Sequence, residues 1–160
     1  WQRQNDGSWK WMLDAGVDAD PANAAAQGTP VLYLPVAAAG SASPDTAMSE
    51  VGALEAAMAG LAETGLIAAY EGHFAPDARV HTVGIAPATD EAGREAALEA
   101  RPVAMQLTPG GGGASAAGDM VWTWEEASWV SEGAPGHGFV VRVWQKSVTG
   151  WQIVFDELVT

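Results

Sequence analysis

The sequence predicts an α+β fold in which helices come first and antiparallel strands follow. Apolar residues recur at helical spacing between residues 45 and 100, whereas from Val103 onward apolar and polar residues alternate with a period of two. Segregation of this kind is typical of helices that cover one face of a curved antiparallel sheet. A parallel fold would instead interleave its helices and strands along the chain.

A short repeat joins the two ends of the chain. Residues 1–14 read WQRQNDGSWKWMLD and residues 144–156 read WQKSVTGWQIVFD, so the segments match with one residue dropped. Asn5 to Gly7 is typical of a tight hairpin turn. We therefore expect residues 1–14 to form a β-hairpin that is the remnant of the end of a preceding similar domain. Because the sequence starts at Trp1 without an initiator Met, we also expect that an upstream part has been removed.

Residues 15–44 have the composition of a linker. They are rich in Ala, Gly, Pro, Asp and Ser, and four prolines forbid a long helix there: Pro21, Pro30, Pro35 and Pro44. Val31 to Leu34 is an apolar patch within this segment, which predicts either a short strand or an anchor in a groove.

Three helices are predicted in the domain that follows, residues 45–160. The first, 45–62, begins after the N-cap oxygens of Ser43 and Asp45. Its predicted apolar face has residues spaced three, four and three apart: Val51, Leu54, Met58 and Leu61. Shorter helices are predicted at 66–72 and, after the cap at Thr89 to Glu91, through Ala100, since Pro102 prevents continuation.

Five strands complete the prediction. Period-two alternation places them at 79–83, 103–107, 119–130, 138–146 and 151–158. The run Gly110 to Gly113 has no Lys or Arg nearby and does not lead into a helix, so it is interpreted as a flexible turn and not as a phosphate-binding loop.

Composition excludes several classes of protein. Seven basic and twenty acidic residues give a net charge of −13, which repels nucleic acid and anionic membrane surfaces. The absence of cysteine excludes disulfides and thiolate metal sites. No apolar stretch is long enough to span a bilayer. We expect a soluble protein, either cytoplasmic or exported with its signal removed, that uses no cofactor and no metal, since no His or acid pair has ligand-like spacing on a shared element.

The order of these signals resembles one superfamily. The segments that carry the resemblance are FAPDARV at 74–80, GREAAL at 93–98, SAAGD at 115–119 before a Trp-rich strand, FVVRVW at 139–144 and GWQIVFD at 150–156. Together they resemble the nuclear transport factor 2-like superfamily, which includes SnoaL-like and ketosteroid-isomerase-like proteins. The resemblance covers about residues 45–160.

This resemblance implies a cone, in which a strongly bent mixed or antiparallel sheet wraps around three helices and encloses an apolar pocket. It also implies homodimers that pack through the sheet. In the ketosteroid isomerases a catalytic Asp follows the segment matching residues 74–83, and its place here falls on Thr82, which cannot act as a base. The first helix has no Tyr and residues 138–146 contain no acid, so the oxyanion-hole positions are also unfilled.

Several other residues are candidates for a site inside the cone. The candidates for acid–base catalysis are Glu126, His81 and Tyr70, since a carboxyl group desolvated in an apolar cone has a raised pKa. The candidates for ligand contact are His73, Thr82, Trp122, Trp124 and Trp144. Glu125 and Glu126 lie on opposite faces of one strand, and the sequence does not decide which face lines the pocket. One alternative is that one Glu is solvated and the other pairs with Arg142.

Three functions stay open at this point. The first is binding of a small apolar molecule in the cone. The second is a cofactor-independent acid–base enzyme, of the isomerase, dehydratase or cyclase type, acting on a small organic substrate. The third is a noncatalytic dimerisation or interaction module that uses the Trp-rich sheet face. A cavity with a buried acid favours the enzyme, whereas a filled cone favours the interaction module.

Overall fold

The computed structural model describes residues 1–18, 22, 26–30 and 40–160. The described helices and strands are, in chain order, β1 (Gln2–Arg3), β2 (Trp9–Lys10), α1 (Pro44–Ala62), α2 (Leu66–Tyr70), β3 (Phe74–Thr82), α3 (Glu91–Glu99), β4 (Gln106–Ala114), β5 (Met120–Ser131), β6 (Ala134–Ser147) and β7 (Gly150–Val159). The apolar patch at residues 31–34 lies outside the described residues. The predicted α+β class, with helices before most of the strands, is confirmed.

Five strands form one curved mixed sheet in the order β3-β7-β6-β5-β4. β3 pairs with β7 in parallel, and the other neighbours are antiparallel. The helices cover one face of this sheet, which we call the inner face, and the opposite face we call the outer face. The main apolar core lies between α1, α2 and the inner face, and includes Met58, Leu66 and Ile153.

The α1 helix begins with the predicted cap, because the Ser43 hydroxyl accepts a hydrogen bond from the Thr46 amide and Pro44 occupies the first turn. Its buried face differs from the prediction. Val51 and Met58 are buried as expected, but Leu61 is exposed, and the other buried positions are Ala47, Glu55 and Ala62. The helix therefore turns a carboxylate toward the sheet, which a purely apolar pattern does not anticipate.

The glycine run 110–113 lies within β4 and is not a flexible turn as predicted. An ideal Cβ on Gly110 would lie 2.3 Å from Cζ3 of Trp124, and one on Gly113 would lie 2.8 Å from Nε1 of Trp122. The missing side chains leave room for the two indole rings of β5 on the outer face. Glycine normally weakens a strand because it has no side chain to pack. In β4 the indole rings pack over the glycines and supply this missing contact.

The turn between β5 and β6 also differs from the prediction. It lies at Glu132 and Gly133, which both have positive φ, and β6 begins at Ala134. His137, which lies just before the strand predicted at 138–146, is an exposed residue of β6 opposite Ser128.

Residues 1–14 contain the predicted hairpin. β1 and β2 pair in antiparallel fashion, with Gln2 opposite Lys10 and Arg3 opposite Trp9. The Asp6 carboxylate accepts hydrogen bonds from the amide and the hydroxyl of Ser8 and so stabilises the turn.

Candidate functional site

A buried cluster of charged side chains fills the centre of the inner face. Arg142 on β6 contacts three carboxylates at once. Its Nη1 contacts Glu55 Oε2 and lies 2.6 Å from Glu125 Oε2, while its Nε lies 3.1 Å from Asp156 Oδ2. The Arg142 side chain is 1% exposed, so these ion pairs lie in a region that water does not reach.

A second buried cation reaches the same cluster from the end of α3. Arg101 Nη1 lies 2.6 Å from Asp156 Oδ1. Its Nε donates to the Thr82 hydroxyl at 3.0 Å, and its Nη2 donates to the backbone carbonyl of His81 at 2.8 Å. The Tyr70 hydroxyl donates to Asp156 Oδ2 at 2.8 Å. Asp156 is thus held by two guanidinium groups and a phenol.

Neutral donors complete the coordination of Glu55. The Trp144 indole N–H donates to Glu55 Oε1 at 2.7 Å, and the Thr123 hydroxyl donates to the same oxygen at 2.6 Å. Because these donors come from β5 and β6, Glu55 ties α1 to the sheet through its two oxygens. A buried carboxylate without such partners would cost several kcal/mol.

Strand alternation explains how the sequence assembles this cluster. On β6 the inner positions are Val140, Arg142 and Trp144, and Asp156 on β7 lies opposite Arg142. Glu55 follows Val51 by four residues, which places it on the buried face of α1. This spacing was visible in the sequence and could have identified Glu55 as an inward-facing carboxylate.

The cluster has more acidic than basic groups. Glu55, Glu125 and Asp156 provide three carboxylates, whereas Arg101 and Arg142 provide two guanidinium groups. Burial raises the pKa of Glu125, although the Arg142 charge opposes the shift. Glu125 Oε1 has no hydrogen-bond partner among the described residues. This carboxyl therefore holds a proton more readily than a solvated Glu does.

Three of the predicted site residues meet in this cluster. Tyr70, Thr82 and Trp144 all donate or accept hydrogen bonds there, and burial raises the pKa of Tyr70, so its phenol stays protonated. Glu126 lies on the exposed outer face, and the carboxylate inside the cone is Glu125. This is the arrangement in which one Glu is solvated and the other pairs with Arg142.

The two candidate histidines lie outside the centre of the cluster. His73 is half-buried between α2 and β3, with its ring 5.9 Å from that of Trp144, and burial lowers its pKa. His81 lies on the outer face of β3, where its Nδ1 is 3.5 Å from Glu157 Oε1 and its ring contacts Phe155. Neither ring has a polar contact with Glu125.

The remaining candidates, Trp122 and Trp124, lie on the outer face. Their rings cover the glycines of β4, and the Trp124 ring centroid is 6.0 Å from that of Phe139. The structure therefore places both indoles on the side of the sheet away from Tyr70 and Trp144.

Comparison with solved structures identifies this architecture. An NTF2-like protein of unknown function from Pseudomonas putida is similar at a TM-score of 0.59 and 14% identity, covering 73% of this chain and 88% of that protein. A DUF3225-family protein of unknown function from Pectobacterium atrosepticum gives a TM-score of 0.57 at 18% identity, covering 71% of this chain and 90% of that protein. The chain has the nuclear transport factor 2-like fold. No protein-family model and no curated protein matches its sequence.

A third solved structure supports the assignment of the nuclear transport factor 2-like fold. An NTF2-like protein with a cystatin-like fold from Novosphingobium aromaticivorans gives a TM-score of 0.53 at 18% identity, covering 71% of this chain and 80% of that protein. These identities are low, so the similarity establishes the fold and leaves the function to the residues of this chain.

Open cavities of this nuclear transport factor 2-like domain reach the edge of the charged cluster, and one of about 290 Å³ is lined by Thr82 and Arg101. Another, of about 470 Å³, lies between α2, β3 and α3, and its lining includes Tyr70, Phe74 and Arg94. Within the described ranges, no group of three or more His, Asp or Glu side chains is arranged to hold a metal ion. None of the helices described is long and apolar enough to cross a membrane.

Glu125→Gln is expected to change the pH dependence of stability. The pKa of Glu125 is raised in the folded state above its unfolded value near 4.5. The free energy of unfolding therefore falls as the pH rises above 4.5, and this loss of stability is complete above the folded pKa. The amide carries no charge, so the variant should lose this decline, which amounts to about 1.4 kcal/mol for each unit by which the pKa is raised. Urea unfolding across a pH series measures the difference.

Glu126→Gln is the matched control, since Glu126 is the exposed neighbour on the same strand. Its stability profile should follow that of the wild type. An unchanged pH profile for Glu125→Gln would contradict the raised pKa.

Proposed function

We propose that this domain is a noncatalytic interaction module that associates with a second copy through the outer face of its sheet. The observation that carries the proposal is the filled centre of the cone. Arg142, Trp144 and Asp156 are at most 1% exposed and are bonded to one another or to Glu55. A ligand site requires open space beside its polar groups, and none of the cavities described on this domain is lined by Arg142, Trp144 or Asp156.

The outer face supplies a surface suited to association. Trp124 lies opposite Val141 in the pairing of β5 with β6, and its ring contacts that of Phe139, which is exposed. Residues 13–15 cover part of this face and, with Val159, leave an apolar cavity of about 250 Å³ there. Exposed aromatic side chains grouped in this way mark interaction sites more often than solvated surface.

The net charge of the chain limits where a second copy can bind. A chain with a charge of −13 repels its own copy, so association requires a region where few charges meet. The residues that line the cavity on the outer face include one acidic side chain, Asp14, and no basic one, and the exposed Glu126 lies opposite Phe139 at the border of this patch. An isologous dimer would bring this apolar patch against itself.

Phe139→Lys tests the proposal. We expect the wild-type chain to be a dimer in sedimentation velocity and the variant to dissociate with a Kd raised about tenfold or more, because a charge replaces an apolar contact. Val148→Lys is the matched control, since Val148 is exposed at the β6–β7 turn and the change in net charge is the same. A wild-type chain that stays monomeric at all concentrations, or an equal effect of both variants, would contradict the proposal.

Acid–base catalysis in the cone is the second candidate, because one observation favours it. Glu125 combines a raised pKa with an oxygen that has no hydrogen-bond partner among the described residues. A substrate would have to displace the surrounding side chains to reach that oxygen. The same holds for a small apolar ligand, the first function that the sequence left open. A crystal structure with a bound molecule within hydrogen-bonding distance of Glu125 Oε1 would favour this candidate over the interaction module.

A further inference from the structure

The N-terminal hairpin repeats the β6–β7 hairpin in pairing as well as in sequence. When Trp1 is aligned with Trp144 and Trp9 with Trp151, the pair Gln2 and Lys10 corresponds to Gln145 and Gln152, and the pair Arg3 and Trp9 corresponds to Lys146 and Trp151. Both sets are directly opposed in the structure. The two hairpins therefore share one register despite loops of different length.

The corresponding side chains have opposite environments. Trp144 and Ile153 are 0% exposed and Val154 is 4% exposed, because the helices and the neighbouring strands cover them. Their counterparts Trp1, Trp11 and Met12 are 75%, 63% and 48% exposed. Trp1 and Trp11 contact each other edge to face, with ring centroids 5.5 Å apart. Their counterparts Trp144 and Ile153 likewise lie opposite each other, on β6 and β7. The N-terminal hairpin thus exposes apolar side chains at positions that are buried in the β6–β7 hairpin.

The acidic residue of the repeat shows the same contrast. Asp156 is fully buried and is held by Arg101, Arg142 and Tyr70. Asp14, its counterpart, is exposed. In residues 40–160, the carboxylate at this position binds guanidinium groups supplied by the remainder of the domain.

We propose that residues 1–14 are the closing hairpin of a second nuclear transport factor 2-like unit, which lies on the N-terminal side in the same polypeptide. That unit would cover Trp1 and Trp11 with its helices and bind Asp14 with a buried arginine. The domain formed by residues 40–160 cannot be this partner, because residues 144–156 already occupy the corresponding place. A second copy of the chain cannot be the partner for the same reason.

Hydrogen exchange on this chain and on the extended polypeptide that the proposal requires tests the proposal. A lone two-stranded hairpin is marginally stable, so the amides at residues 2–3 and 9–10 should exchange freely in the 160-residue chain. In the extended polypeptide they should be protected by about a hundredfold or more. Protection already present in the 160-residue chain, or none in the extended one, would overturn the proposal.

Paired substitutions locate the contacts. In the extended polypeptide, Asp14→Asn should speed exchange in the N-terminal unit and leave residues 40–160 unchanged, whereas Asp156→Asn should do the reverse. Equal effects of Asp14→Asn on both regions, or no effect on either, would contradict the assignment of Asp14 to a second unit. This result does not depend on whether the domain associates through its outer face.

Discussion

Replacing Arg142 with methionine is expected to lower the free energy of unfolding by about 3–5 kcal/mol, the cost of breaking a buried ion pair by removing one partner. The substitution leaves Glu55, Glu125 and Asp156 within the same dry region with Arg101 as the nearest remaining cation. Total stabilities of domains are about 5–15 kcal/mol, so a large part of the stability should be lost. Urea unfolding followed by Trp fluorescence measures it.

Two further variants keep this prediction testable if the methionine variant does not fold. Arg142→Lys retains the charge but not the forked geometry that lets guanidinium contact several carboxylates, so it should lose an intermediate amount. Arg79→Met removes an exposed arginine from β3 and should change stability by less than about 0.5 kcal/mol. Equal stability of the wild type and Arg142→Met would show that the cluster does not hold the cone together.

Replacing Trp144 with alanine is expected to cost about 3–5 kcal/mol, because the indole is fully buried and its removal leaves a cavity next to α1. Trp144→Phe retains most of the apolar volume but removes the N–H that donates to Glu55. It should cost about 1.5–3 kcal/mol, the contribution of one hydrogen bond to a charged group, since the Thr123 hydroxyl still donates to the same oxygen. Thermal and urea unfolding of both variants separate packing from hydrogen bonding.

Trp1→Ala is the control from the other copy of the repeat. Trp1 is largely exposed, so its removal should leave the unfolding of the domain unchanged within about 0.5 kcal/mol. A similar loss for Trp1→Ala and Trp144→Ala would mean that the N-terminal hairpin packs on the domain more closely than the structure indicates.

Sequence patterns predicted most of the elements but not the orientation of α1. The spacing of Val51, Leu54, Met58 and Leu61 indicated one apolar face, yet the structure buries Glu55 and exposes Leu61. Apolar periodicity assumes that buried positions are apolar. It fails where a buried charge is stabilised by partners on other elements, here Arg142 and Trp144, which lie almost ninety residues away.

The candidate site was also predicted only in part from the sequence. Tyr70, Thr82 and Trp144 were all among the candidates identified from the sequence, Thr82 because it falls on the place of the catalytic Asp of the ketosteroid isomerases. The choice between Glu125 and Glu126 was open, since adjacent strand residues point to opposite faces and a shift of one residue exchanges them. Only pairing with Arg142 on β6 decides that Glu125 faces inward.

By itself, the sequence determined the α+β class, the resemblance of residues 45–160 to the nuclear transport factor 2-like fold and the repeated hairpin. These features depend on local periodicity, turn residues and segment order, which a single chain displays directly. The tertiary structure alone decided that charged side chains fill the cone and that the glycines of β4 lie beneath indole rings. Both depend on contacts between residues distant in sequence. No local sequence pattern predicts which side chain will contact a buried charge or pack over a glycine.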